Sequence, residues 1–225
     1  MRSWFRICAA VGSVVTIMFA SGCGNNGNAE FRVVQASPDT GQVNVDLNNK
    51  TISSDIGYAG NTGYISVDSG SPNLQVIPVN GSTPIVNETV TLASSSNTTV
   101  IVANYAANVE GLVLSDNNTD PPTGDVQLRV VNAAPGISTA DVYFVPSGSS
   151  LATIAPIITS LGFESASSYE TLTAGTYQIF LTVPGTKNAY FSTGQITLTS
   201  GQIRTIVALN STTGGYTSTT LADLN

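Results

Sequence analysis

Histidine is absent from all 225 residues, and only 2 cysteines occur. Without an imidazole, neither a Ser-His-Asp nor a Cys-His nucleophile system can be built, nor a zinc site resting on histidine. Charge is scarce too, with 7 Lys and Arg against 14 Asp and Glu and a formal balance of −7. The cations are scattered, whereas nucleic acid demands clustered ones to displace counterions, so it is excluded as a partner. No apolar run reaches the roughly 20 residues that span a bilayer as a helix. Helical periodicity is also missing, and Ala103-Asn104-Tyr105-Ala106-Ala107 is too short to stand alone as a helix. No glycine loop of the phosphate-cradling kind occurs. What is abundant is Ser, Thr, Asn and Gly beside 41% hydrophobic residues. That is the composition of sheets with uncharged polar outer faces and many turns.

The N-terminus reads as a secretory signal over residues 1–22, with Arg2 and Arg6 ahead of the apolar run Ile7 to Ala20. Ala20-Ser21-Gly22 before Cys23 resembles the lipobox of bacterial lipoproteins, although Ala20 stands where leucine is usual. The resemblance implies cleavage after Gly22 and lipid attachment at Cys23, which ties the mature protein to a membrane. Cys8 leaves with the signal, so no intramolecular disulfide is expected. A free thiol exposed in an oxidising compartment would be a liability, which favours the lipid. Loss of Arg2 and Arg6 takes the formal charge to −9. Gly24 stands where an aspartate would resemble an inner-membrane retention signal. In an envelope of two membranes, outer-membrane placement follows by analogy. Residues 23–29 form a flexible tether whose last six residues reach at most about 20 Å.

Beyond the tether the chain says one thing twice. Phe31-Arg32-Val33-Val34-Gln35-Ala36-Ser37-Pro38 returns 97 positions later as Leu128-Arg129-Val130-Val131-Asn132-Ala133-Ala134-Pro135. Val45 and Leu47 match Val142 and Phe144 at the same shift, whereas Ile56-Gly57-Tyr58 and Tyr64 match Leu161-Gly162-Phe163 and Tyr169 at 105. The second copy therefore carries an insertion of 8 residues between Pro146 and Ser160, expected as an extended loop or a short helical turn. Val43, Val45 and Leu47 alternate with Asn44, Asp46 and Asn48, the period of a strand with one buried face. Seven or eight such short segments in the first copy, separated by turn clusters, predict an antiparallel sandwich. The expected organisation is a first repeat over 30–116, a linker over 117–124 and a second repeat over 125–225.

Few residues point to chemistry. Two carboxylates suffice for glycoside hydrolysis, but Asp39, Asp46, Asp141, Glu164 and Glu170 do not fall at matching places in the two copies, and no enzyme is expected. Asp116, Asn118, Asp120 and Asp125 are oxygen ligands of the kind calcium prefers. They lack EF-hand order, so the segment is read as a solvated linker, with calcium stiffening as the alternative. No cofactor is expected. Arg32 and Arg129 recur one residue into the opening strand. Each is expected to lie along its sheet and meet a nearby carboxylate, Asp141 in the second copy; the alternative is a grip on an anionic ligand. Tyr58, Tyr64, Phe163 and Tyr169 are expected to cap a core with polar groups at the rim, the alternative being an aromatic platform for sugars.

The opening Arg32 to Asp39 with Tyr64, Val67 and Gly70, then Arg129 to Pro135 with Asp141-Val142-Tyr143, Tyr169, Leu172 and Gly175, resembles a bacterial family. It is the domain-of-unknown-function family numbered 4397, found on secreted and surface-anchored proteins, often as tandem copies. Asn44 replaces the first copy's aspartate, and Ala134 and Gly136 replace Ser and Asp in the second. The resemblance implies a fold and a location, and no activity. We therefore expect an all-β chain of two tandem antiparallel immunoglobulin-like β-sandwich domains behind a signal segment. It is expected to act without catalysis, as a surface structural or protein-interaction module of the cell envelope. The alternative is a module binding envelope or extracellular polysaccharide. The partners expected are the membrane through the Cys23 lipid and an envelope protein or glycan of unknown identity.

Overall fold

The computed structural model describes residues 27–224; the signal segment, Gly22 and Cys23 lie outside them. The first half holds β1 (Asn28–Gln35), β2 (Val43–Leu47), β3 (Lys50–Ile56) and β4 (Ile65–Asp68), then β5 (Asn73–Pro78), β6 (Val86–Thr89), β7 (Asn97–Ala103) and β8 (Glu110–Asp116). The second half opens with β9 (Asp125–Asn132), β10 (Thr139–Pro146), β11 (Ile158–Gly162), β12 (Ser165–Ala166) and β13 (Glu170–Thr173). It closes with β14 (Gly175–Thr182), β15 (Ala189–Leu198), β16 (Ile203–Asn210) and β17 (Tyr216–Leu224). Single 3-10 turns at Ala106–Asn108 and Leu151–Thr153 are the helical pieces among the described residues. The second of them sits inside the insertion.

The strands form four sheets, ordered β4-β1-β7-β8 and β3-β2-β5-β6 in the first half, and β12-β9-β16-β17 (with β13 also on β9) and β11-β10-β14-β15 in the second. The fold is all-β and sandwich-like. Its apolar side chains collect in three layers. One joins the two sheets of the first half through Phe31, Val33, Val45, Val76 and Val100. A second joins the two sheets of the second half through Leu128, Val130, Phe144, Ile179 and Ile206. The third joins the halves through Val34, Ile101, Val131, Val207 and Leu221. The sheets thus stack in four layers, with the β1 and β9 sheets at the centre.

Burial on both sides explains the opening motif. Strand side chains alternate between faces, so Phe31 and Val33 enter the first layer while Val34 enters the middle one. A strand buried on both faces reads as a continuous apolar run, unlike β2, which has one buried face and alternates. The same alternation sets Arg32 and Arg129 on the faces that look at the other half.

The expectation of purely antiparallel sandwiches needs correction. β1 pairs with β7 in parallel, Val33 opposite Val100, and β9 pairs with β16 in parallel, Val130 opposite Ile206. Parallel neighbours require a long crossover, and here the intervening strands of the outer sheet supply it. The Asn48-Asn49 turn between β2 and β3 has both residues at positive φ, 49° and 62°, as a two-residue hairpin turn demands. Gln35 and Asn132 each anchor the turn after the opening strand. Gln35 Oε1 accepts from Ser37 N while its amide donates to Gly41 O, and Asn132 does the same with Ala134 N and Ile137 O.

Candidate functional site

The parallel registers place Thr99 beside Arg32 and Thr205 beside Arg129. On the outer flank, β8 and β17 end in Asp116 and in Asp223 followed by Leu224. Arg32 Nε and Nη2 donate to Thr99 Oγ1 at 3.1 and 2.9 Å. Its Nη2 then crosses to the other half, reaching Asp223 Oδ1 at 2.6 Å, and Nη1 reaches Ala222 O at 2.9 Å. Arg129 mirrors it, with Nε on Thr205 Oγ1 at 3.0 Å, Nη2 on Asp116 Oδ1 at 2.5 Å and Nη1 on Ser115 O at 3.2 Å. The charge pairs are therefore exchanged between the repeats, each arginine serving the other copy's aspartate.

The remaining carboxylate oxygens are filled from within each repeat. Asp116 Oδ2 accepts from Thr99 Oγ1 and from the Tyr64 hydroxyl, both at 2.6 Å. Asp223 Oδ2 accepts from Thr205 Oγ1 at 2.5 Å and from the Tyr169 hydroxyl at 3.0 Å. Each guanidinium also lies over a tyrosine ring, Arg32 over Tyr64 at 4.3 Å and Arg129 over Tyr169 at 4.5 Å. All four charged side chains are at most 3% exposed, with a third ion contact of 3.8 Å from Arg32 to Asp116. Two cations balance two anions, and donors and acceptors are matched. A buried ion cluster is tolerable only under those conditions. Burial first, and the adjacent aspartates second, push Tyr64 and Tyr169 far above the ordinary phenol range.

Several expectations change here. Arg32, Arg129, Tyr64 and Tyr169 do converge, but on Asp116 and Asp223 rather than on an open ligand face. Arg129 does not meet Asp141, whose oxygens accept from the backbone N–H groups of Ser160 and Gly185. Asp116 does not lie in a solvated linker: it ends β8, its side chain is buried, and both its oxygens accept hydrogen bonds. Asp125 opens β9, Asp120 is exposed, and Asn118 Oδ1 has no protein partner. Among the described residues no acidic, His or Cys cluster fit for a metal ion forms. Tyr58 sits in the middle layer and donates to Asn210 O at 2.6 Å, with burial pushing it up to about 12.

Thr99, Thr205 and Asp223 were missed in the sequence, and acids do occur at matching places in the two copies. Leu114-Ser115-Asp116 returns as Leu221-Ala222-Asp223, 107 positions on, and Thr99 returns as Thr205 at 106. Following the repeat past its first insertion would have found them.

Two further features lie outside the cluster. A groove of about 500 Å³ opens between the edges of β3 and β4, lined by Leu47, Ile52 and Val67 and by Asn28, Lys50 and Asp68. Burial, then the charge of Glu110, raises the carboxyls of Glu88 and Glu164.

Residues 29–143, about half the chain and reaching from β1 into β10, match the family described as domain of unknown function DUF4397. The chain belongs to this family. No curated protein is similar to it at a meaningful level. The Bacillus anthracis TIE protein is similar over 87% of this chain and 44% of its own, at 9% identity and a TM-score of 0.27. This chain thus spans less than half the length of that protein. Membership of the DUF4397 family fixes no activity, so what the protein does has to be argued from its own residues.

Proposed function

We propose that the chain is a non-catalytic, lipid-anchored protein of the cell envelope. In this reading it is built from two tandem immunoglobulin-like sandwich domains and presents their loops as one surface module to an envelope partner. The observation that carries it is the exchanged ion cluster. A face sealed by two buried arginines, two aspartates and an apolar layer holds the repeats at one geometry. The loops of both then act as a single surface, and the cluster offers no free group to a substrate. Extracytoplasmic location, outer-membrane in a two-membrane envelope, rests on the signal pattern before Cys23.

Binding of an envelope or extracellular polysaccharide is the second reading, and the groove between β3 and β4 favours it. Its rim of Asn28, Asn48, Thr51, Ser66 and Asp68 is suited to sugar hydroxyls. One face of each of the Tyr64 and Tyr169 rings is covered by an arginine, which leaves them poorly suited as stacking surfaces.

Intact mass of the natively produced protein, beside a Cys23→Ala variant, tests the anchor. The expected outcome is a mature chain beginning at Cys23 with added acyl mass, and loss of both that mass and membrane association in the variant. An unacylated mass beginning elsewhere overturns the anchor. Retention of the wild-type protein on isolated envelope polysaccharide, abolished by Asn48→Ala with Asp68→Ala, decides for the second reading over the first.

A further inference from the structure

The interface between the repeats has an unusual property for a contact within one chain: its central bonds come in pairs. Exchanging the copies turns Arg32 on Asp223 and Ala222 O into Arg129 on Asp116 and Ser115 O. The same exchange turns the hydroxyl pair of Thr99 and Tyr64 on Asp116 into that of Thr205 and Tyr169 on Asp223. Paired contacts of this kind are the mark of an isologous interface, the commonest way in which two identical protein surfaces join.

No strand ladder crosses the interface among the described residues, since all four sheets stay within one half. The contact is made by side chains and by the connection 117–124, which belongs to no strand, so opening it breaks no sheet. At the same time it is not indifferent to which copy it meets. Ile101 and Ala103 of the first face correspond to Val207 and Leu209 of the second, all fully buried. Like with like would set two small residues together in one pairing and two large ones in the other, leaving a void or a clash. The rim is likewise unpaired by symmetry, because Tyr58 bonds Asn210 while its counterpart Phe163 has no hydroxyl to offer.

We propose that the first repeat's face, built by β1, β7 and β8, accepts the second repeat of another copy of this chain. Two molecules thereby exchange repeats and form a reciprocal dimer. Both interfaces of that dimer reproduce the one inside the monomer, including first-on-second packing and both charge exchanges. The partner is a second copy because it carries the matching quartet, Thr205, Asp223, Tyr169 and Arg129, at matching spacing. On a membrane, such exchange would cross-link neighbouring anchors.

Charge reversal tests it on the full chain. Arg32→Asp alone sets two carboxylates face to face within the molecule, and Asp223→Arg alone sets two guanidiniums together. Mixed and refolded together, the two variants restore opposite charges at both interfaces only by exchanging repeats. The expected result in native mass spectrometry is a 1:1 heterodimer at twice the 23.2 kDa chain. It should exceed either variant's self-dimer at least tenfold, while the double variant carrying both changes divides between monomer and dimer as the wild type does. A mixture that holds only monomers overturns the proposal.

A second arm does not depend on charge. Deleting residues 117–123 leaves Gly124 alone between Asp116 and Asp125. That single residue bridges about 7 Å at most, short of the roughly 10 Å between packed sheets. The repeats then cannot close on each other within one chain, and a dimer is expected at micromolar concentration. A folded monomer overturns the proposal. So does insolubility on both arms, since a face that accepts a second copy always has one at hand.

Discussion

Removing one guanidinium from the quartet leaves a buried carboxylate without its counter-charge. Arg32→Met strands Asp223, which is fully buried, and is expected to cost about 3–5 kcal/mol in denaturant unfolding. Adding Asp223→Leu removes the stranded charge as well, and the double variant should recover most of that loss, because apolar replacement of a whole buried pair is often neutral. A double variant as unstable as the single one would show that the pair contributes more than its charges. The tyrosines give a pH signature. Tyr58 is raised to about 12, and Tyr64 and Tyr169 lie higher still. The folded state therefore holds these protons more tightly than the unfolded chain, whose phenols titrate near pH 10. The stabilisation is complete below about pH 10 and is lost as pH rises beyond it. Ultraviolet titration of the native protein should find Tyr58, Tyr64 and Tyr169 still protonated at pH 11, and stability should fall steadily between pH 10 and 12.

At the scale of elements, the strands follow from local chemistry and the hairpins from backbone sterics. Asn49 sits at a φ of 62° in the turn between β2 and β3, where asparagine is tolerated and β-branched residues are not. Asn49→Val is expected to lower stability by about 1–2 kcal/mol, and Asn49→Gly to leave it unchanged, both read from the midpoint of thermal unfolding. The strand positions were largely legible: β2 alternates because one face is buried, and the opening strands do not because both are. What the alternation could not convey was the direction of pairing. Nothing local distinguishes a β1 that meets β7 in parallel from one that meets an antiparallel neighbour. The choice is made when the outer sheet forms between them.

Over the whole molecule, the middle apolar layer and one ion cluster tie the halves together, so they are expected to unfold as one unit. Calorimetry should show a single transition, with the two-state ratio of enthalpies near one. Arg129→Met should split it into two, since the halves keep their own cores while the face they share is left with an uncompensated Asp116. Because the cluster is buried, raising the salt from 0.1 to 0.5 M is expected to shift the wild-type midpoint little, unlike a surface network. A large downward shift would place the ions in contact with solvent.

The repeat, the strand-rich composition, the signal pattern and the one arginine that marks each opening strand can be read from the residues alone. These are carried by residue type and by spacing along the chain, where the physics is local. What the arginines do is settled by packing across the molecule. Arg32 finds its carboxylate 191 residues away, on the last strand of the other copy, and Arg129 finds Asp116 in a stretch that reads as a polar linker. Which faces meet depends on packing four sheets at once, and an ion's partner is fixed only after desolvation has forced every buried charge to find one.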